Sequence, residues 1–382
     1  MRKLLQSTQS GHRVSWLELF YDLVYVIVIA KLAHLVTHGH DGHLGIQEFI
    51  VFIALFIPVW WAWTGHTLYS TRFYDDSVTD RLLTLGQMFL VTLMTLFISD
   101  AFYGKGHMFA LVYASIRGLL VIMYIRVMLT NKEMRPVTSC LASGFSIGAI
   151  LWFISAFLPP YWMYAFWVAG LLIDFITPFR CRPLLKEVAV HKHHLPERFG
   201  LLVIILLGES VASLASALTP QEIAMTNYII ALLGFISLSA IWWHYFEVIE
   251  RIVINRELGA AQLIIYGHLP IFIGLALFAS AIRQNITGNL DVTDVTLVFS
   301  ISLVLYLVPI LLIAHQAQEK NERLPLRVNT IVLIVLLVTI SILRDYFSAI
   351  GISSLIATLM VIYVYINTPK SNGQQIKEKD EI

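Results

Sequence analysis

Two ionisable side chains lie within otherwise apolar runs: Glu209, in Leu201-Leu202-Val203-Ile204-Ile205-Leu206-Leu207-Gly208-Glu209-Ser210, and Arg117, in an earlier one. A carboxyl in hydrocarbon can bind a proton or the cationic group of a solute, and a guanidinium can be its counter-charge or hold a carboxylate. Each lies about ten residues into its span, from opposite sides, so at about 1.5 Å per residue both reach mid-bilayer. An unpaired charge there is costly enough that each must face the protein interior and find a partner or line a wet cavity. The pair reads as a substrate- or proton-binding site, with Gly208 and Ser210 allowing close approach. The alternatives are a static salt bridge or a carboxyl protonated by burial.

A second set gathers at one membrane face. Glu18 and Asp22 are one helical turn apart, and Arg72, Asp75, Asp76, Asp80 and Arg81 fall in and beside a loop on the same side, where Glu197 and Arg198 open a later span. Acidic residues at helix N-termini are favoured by the macrodipole, and Arg–carboxylate pairs bridge helices, so Glu18, Asp22, Arg72, Asp76, Asp80, Arg81, Glu197 and Arg198 form either a cytoplasmic gate or coupling network or a structural lock. Asp22, the deeper of its pair, is the better candidate for proton exchange. Arg198 and Glu209 return to one helical face about three turns apart, which predicts a polar stripe from the inner surface to mid-membrane.

Other constellations point to packing. His34, His38, His40 and His43 are spaced too loosely for a metal site and read as a polar loop; no metal or cofactor is expected. His66, His244 and His268 read as hydrogen-bonded structure, with His244, Glu247 and Arg251 forming a helix network. Trp60, Trp61, Trp63, Trp242 and Trp243 read as packing or interfacial anchors ahead of a solute lining. The absence of a Walker loop, a GxSxG and an HExxH removes the cheapest routes to an enzyme.

The elements that must position these residues are membrane helices. The chain of 382 residues is 58% hydrophobic and 13% charged, with net charge +1, and its mean hydropathy is +0.75; this is the composition of an all-α polytopic membrane protein and makes no case for nucleic acid. About twelve stretches are long enough to span: 16–37, 47–70, 82–102, 108–129, 137–157, 161–178, 200–218, 227–248, 261–282, 294–315, 328–343 and 346–366. Arg344-Asp345 marks a tight hairpin between the last two. Alternate loops hold only Lys105, Arg283 and Arg344 among the cations outside the spans, which places both termini in the cytoplasm. The first span is too charged for a cleavable signal. Cys140 and Cys181 fall near cytoplasmic ends, where reducing conditions favour a packing role over a disulfide.

A shift of about 182 residues brings Trp60-Trp61 onto Trp242-Trp243, and a closely similar shift brings Leu96-Phe97-Ile98-Ser99 onto Leu277-Phe278-Ala279-Ser280. This predicts two pseudo-repeats of about six helices in the same orientation. The expected organisation is an N-terminal half at 1–178, a cytoplasmic linker at 179–198, a C-terminal half at 199–368 and a disordered cytoplasmic tail at 369–382.

The runs His12-Arg13-Val14-Ser15-Trp16-Leu17-Glu18-Leu19-Phe20-Tyr21-Asp22-Leu23-Val24, Phe73-Tyr74-Asp75-Asp76 with Asp80-Arg81-Leu82-Leu83-Thr84-Leu85-Gly86-Gln87-Met88, and His194-Leu195-Pro196-Glu197-Arg198-Phe199-Gly200-Leu201 through Gly208-Glu209-Ser210 together resemble the low temperature requirement A (LtrA) family of bacterial membrane proteins. The resemblance covers nearly the whole chain. It implies a role connected with growth in the cold and no defined biochemical activity. The residues themselves point to a secondary transporter of a small solute or ion, proton-coupled, in the inner (plasma) membrane. Its rivals are a channel, a non-transporting factor for low-temperature growth or envelope adaptation, and a membrane enzyme using the cytoplasmic Asp cluster with a divalent metal. The partners expected are membrane lipids and the solute or ion, with a homo-oligomer left open.

Overall fold

The computed structural model describes residues 15–36, 43–73, 75, 77–188, 194–218, 224–249, 258–317 and 320–368. The expected tail at 369–382 and Asp76 lie outside them. Among the described residues thirteen helices follow one another: α1 (Trp16–Leu35), α2 (Ile46–Phe73), α3 (Val78–Ile98), α4 (Gly106–Thr130), α5 (Arg135–Ser155), α6 (Pro160–Arg180), the single-turn α7 (Arg182–Leu185), α8 (His194–Ala217), α9 (Met225–Ile249), α10 (Leu258–Thr287), α11 (Val292–Ala317), α12 (Lys320–Ile342) and α13 (Ala349–Asn367). Their starts carry recognisable signals. Ser15 and Glu18 form a reciprocal capping box at α1; Ser77 and Ser348 cap α3 and α13; prolines occupy the first turns of α5 and α6.

Among the described residues ten helices are long and apolar enough to cross a membrane. The two long helices outside that set explain the difference from about twelve. Helix α1 carries Glu18, Asp22 and Lys31, and the apolar stretch of α12 among the described residues is only Leu326–Ile342. A 3₁₀ turn, Arg344–Tyr346, links α12 to α13, in keeping with the tight hairpin expected there. The proposed linker is shorter than 179–198, because α8 already begins at His194 and takes Glu197 and Arg198 into its first turns. Pro196 lies within the first turn, where its missing N–H removes no helical hydrogen bond.

Polarity runs inside out. Along α1, Trp16, Phe20, Leu23 and Ile27 are exposed, whereas Glu18, Tyr21, Asp22 and Tyr25 are buried. That is the pattern of a helix whose outer face meets lipid and whose polar face meets other helices. Helix α2 is the hub, enclosed along most of its length and packed against α1, α4, α8 and α10. The neighbour pairs α1–α2, α1–α3, α3–α4, α4–α5 and α5–α6 have counterparts α8–α9, α8–α10, α10–α11, α11–α12 and α12–α13, and α1 and α2 both meet α8 and α10. Trp60, Trp61 and Trp63 are buried, while Trp242 and Trp243 are about half exposed, so the two Trp pairs occupy unlike environments.

The expectation for the cysteines is overturned: Cys140 and Cys181 are joined by a disulfide. Compartment alone argued against it. The first turns of α5 lie beside the C-cap of α6, and the two Cα atoms are 6.0 Å apart, within the usual span of a disulfide.

Candidate functional site

The seam between α1 and α8 holds a buried ion cluster. Its position follows from the two helix starts, since the capping box fixes Glu18 one turn below Asp22, and α8 runs alongside with His194 and Arg198 also one turn apart. Arg198 Nη2 donates to Asp22 Oδ1 at 2.8 Å, and the Trp63 indole N–H of α2 donates to the same oxygen at 2.8 Å. Arg198 Nη1 lies 3.5 Å from Glu18 Oε1, and His194 Nε2 lies 3.7 Å from Glu18 Oε2. Asp22 and Arg198 are fully enclosed, and Glu18 and His194 are nearly so. Among the described residues Asp22 Oδ2 and Arg198 Nε have no hydrogen-bond partner. Charged hydrogen bonds shielded from water in this way are strong, and losing one partner is costly. Three of the expected residues, Glu18, Asp22 and Arg198, therefore meet; His194 and Trp63 complete the site. His194 stood inside the family-like run, but its place in the supposed linker hid it.

The pairing of Arg117 with Glu209 is not formed. Arg117 Nη2 lies 2.9 Å from Asp174 Oδ2 of α6, with both side chains at 0% exposure. The guanidinium carbon also lies 4.8 Å from the centre of the Phe145 ring, a cation–π contact. Close packing holds the pair in place. A Cβ on Gly65 would come 2.6 Å from Arg117 Nη1, and one on Gly148 would collide with the Asp174 carboxylate. Asp174 carries the same signal as Arg117, an ionisable group in an apolar run, but its place in the sequence does not say which buried cation it faces.

Glu209 is partly exposed and has no ion-pair partner among the described residues. The buried positions of α8 include Arg198, Leu202, Leu206 and Ser210, spaced by four. Helices pack along such inclined rows, so the contact face winds away from a stripe drawn parallel to the axis. The Ser210 hydroxyl donates to the Leu206 carbonyl of its own helix at 2.8 Å. Glu209 and Ser210 are thus not assembled with Arg117.

The loop set divides too. Asp80, buried at the start of α3, accepts from Tyr69 at 3.1 Å and pairs with Arg126 of α4. Arg126 also reaches Asp75 Oδ2 at 2.8 Å and Ser77 Oγ at 2.7 Å. Burial alone would push the Asp75 carboxyl up, but hydrogen bonding by Ser77 and the Arg126 charge hold it below its ordinary value. Arg72 instead donates to the Leu68 carbonyl at 3.2 Å, and Arg81 and Glu197 are exposed. Arg126, inside the predicted span 108–129, is a partner that the spacing of the loop residues did not indicate.

A hydrogen-bonded path leads from α1 toward Arg117. Tyr21 stacks on His66, and its hydroxyl lies 3.3 Å from that of Tyr25 and 3.4 Å from Gln87 Oε1; Gln87 in turn donates to the carbonyl of Ile116 at 3.2 Å. Farther along the chain, His244 Nδ1 lies 2.9 Å from the Tyr306 hydroxyl and His268 Nε2 lies 2.8 Å from that of Tyr245, while Arg251 is outside the described residues. So are His38 and His40; His43 Nδ1 meets Asp294 Oδ2 at 3.1 Å. Among the described residues no group of three His, Cys, Asp or Glu is placed to hold a metal ion.

An uncharacterized protein of Rhizobium meliloti (strain 1021) is 25% identical over 281 residues, which is 69% of this chain and 67% of that protein. No solved structure matches the chain. Residues 13–365 match the bacterial low temperature requirement A protein (LtrA) family, and the match takes in both buried ion systems; the chain belongs to that family.

Proposed function

We propose that the protein is a proton-coupled secondary transporter of a small solute or ion in the inner (plasma) membrane, not an enzyme. Its two six-helix units, α1–α6 and α8–α13, rock against each other about the seam of α1 and α2 with α8 and α10. The observation that carries this reading is the Arg198–Asp22 contact at 2.8 Å. It joins the units through a buried charge pair whose carboxylate keeps one oxygen unpartnered, and a seam that must open and reclose is where breakable polar contacts suit a transporter. The recurring neighbour pattern of the helices supports the two-unit division. Glu209, partly exposed and unpaired, is assigned no central role. In this reading Asp22 and Arg198 form the coupling contact, and Arg117 with Asp174 braces the first unit.

The test uses proteoliposomes with a trapped pH dye, challenged with a panel of amino acids, amines, organic acids and inorganic cations. At least one solute is expected to evoke a pH change in wild-type vesicles, and Asp22→Asn is expected to abolish it while inserting normally. No response from the wild type to any of these solutes, or an undiminished one from Asp22→Asn, removes the proposal. A second reading, a non-transporting factor for low-temperature growth or envelope adaptation, is favoured by one feature, the closely packed and charge-balanced Arg117–Asp174 pair.

A further inference from the structure

Charge counting separates the two buried ion systems. Arg117 and Asp174 set one cation against one anion. Glu18, Asp22 and Arg198 set two carboxyls against one guanidinium, with all three buried. A surplus charge held away from water is costly, and a group that can take up a proton does so instead. Arginine cannot supply the adjustment, because it stays protonated throughout.

Several neighbouring groups face the cluster. From α1 the cluster is faced by Tyr21, whose hydroxyl is engaged with Tyr25 and Gln87 of α3. From α2 it is faced by Trp63, a donor only, and His66 stacks on the Tyr21 ring. On α10, His268 has both ring nitrogens occupied, by Tyr245 and the Ile264 carbonyl. On α8, Glu197 is exposed, and His194 points its Nε2 at Glu18.

We propose that the Glu18–Asp22–His194–Arg198 cluster is a binding site for a single exchangeable proton, held because two buried carboxyls face one guanidinium among the described residues. With the proton bound, it offsets one of the two carboxyl charges while the guanidinium holds Asp22. When the proton leaves to water at the face where α1 and α8 begin, Arg198 is the one guanidinium between two carboxylates among the described residues, and it already lies within 3.5 Å of Glu18. The Arg198–Asp22 contact, the one that joins the helices most tightly, then competes with Arg198–Glu18. This rests on the transporter reading only in taking the proton as the coupling ion.

The experiment counts protons taken up by the purified full-length protein in detergent, stepped from alkaline to mildly acidic pH and read with an indicator dye. Glu18→Gln, which leaves one carboxylate against one guanidinium, is expected to take up about one proton fewer than wild type. Asp22→Asn removes the same charge from the other carboxyl and carries the same expectation, so the count survives if one variant fails to fold. His194→Gln still has two carboxyls against one guanidinium, so it is expected to keep the proton at a different midpoint; Glu209→Gln is expected to match wild type. The proposal is overturned if both carboxyl variants match wild type, if His194→Gln loses the proton, or if Glu209→Gln loses it. The count needs neither gradient nor solute, so vesicles that show no solute response while the count holds would sink the transporter reading alone.

Discussion

Arg117 and Asp174 show what a buried pair demands of its neighbours. Asp174→Asn leaves a guanidinium enclosed without its counter-charge and should cost about 3–5 kcal/mol, seen as a large fall in melting temperature in detergent. Replacing both, Arg117→Met with Asp174→Leu, should recover most of that loss; a double variant as unstable as the single one would mean that the pair does more than brace. Glu18, Asp22, Arg117 and Arg198 were legible in the sequence, because an ionisable side chain in an apolar run must be accounted for. Their partners were not. Depth along a helix can be counted from residue numbers, but facing depends on which inclined row of α8 or α6 touches its neighbour, and so Glu209 was matched with Arg117 in place of Asp174.

The elements were easier to read, since a membrane helix announces itself by length and apolarity. Their ends were harder where polar residues belong to the helix itself. His194, Glu197 and Arg198 look like linker and form the first turns of α8. At the start of α3, Arg126 ties Asp75 and Ser77 to Asp80, closing the turn between α2 and α3 against the end of α4. Because Asp75 titrates below its ordinary value when folded, its contribution is fully present above the unfolded value. It fades as pH falls through the depressed folded one. Limited proteolysis between α2 and α3 should therefore accelerate only in strongly acidic buffer, and Arg126→Gln should shift that onset upward. A variant whose onset matches wild type would show that Arg126 does not hold the turn.

Across the whole molecule, two contacts lie at opposite ends of one seam. Arg198 joins Asp22 where α1 and α8 begin, while His43 and the Leu44 N–H meet Asp294 where α2 and α11 begin. If the units rock, locking either end should stop solute-evoked pH change in vesicles. A cysteine pair at His43 and Asp294, bridged by a short bifunctional maleimide and compared with the same pair unbridged, tests this; bridged protein that still responds would rule out rocking about that seam. The same Arg198–Asp22 contact also sets an order in time. The partner of Asp22 lies 176 residues downstream. At about 5–20 residues per second, synthesis delivers Arg198 roughly 10–35 s after Asp22. Until then Asp22 lacks the guanidinium that meets it in the folded protein, so the contact that closes this end of the seam forms only after both of its helices have been made.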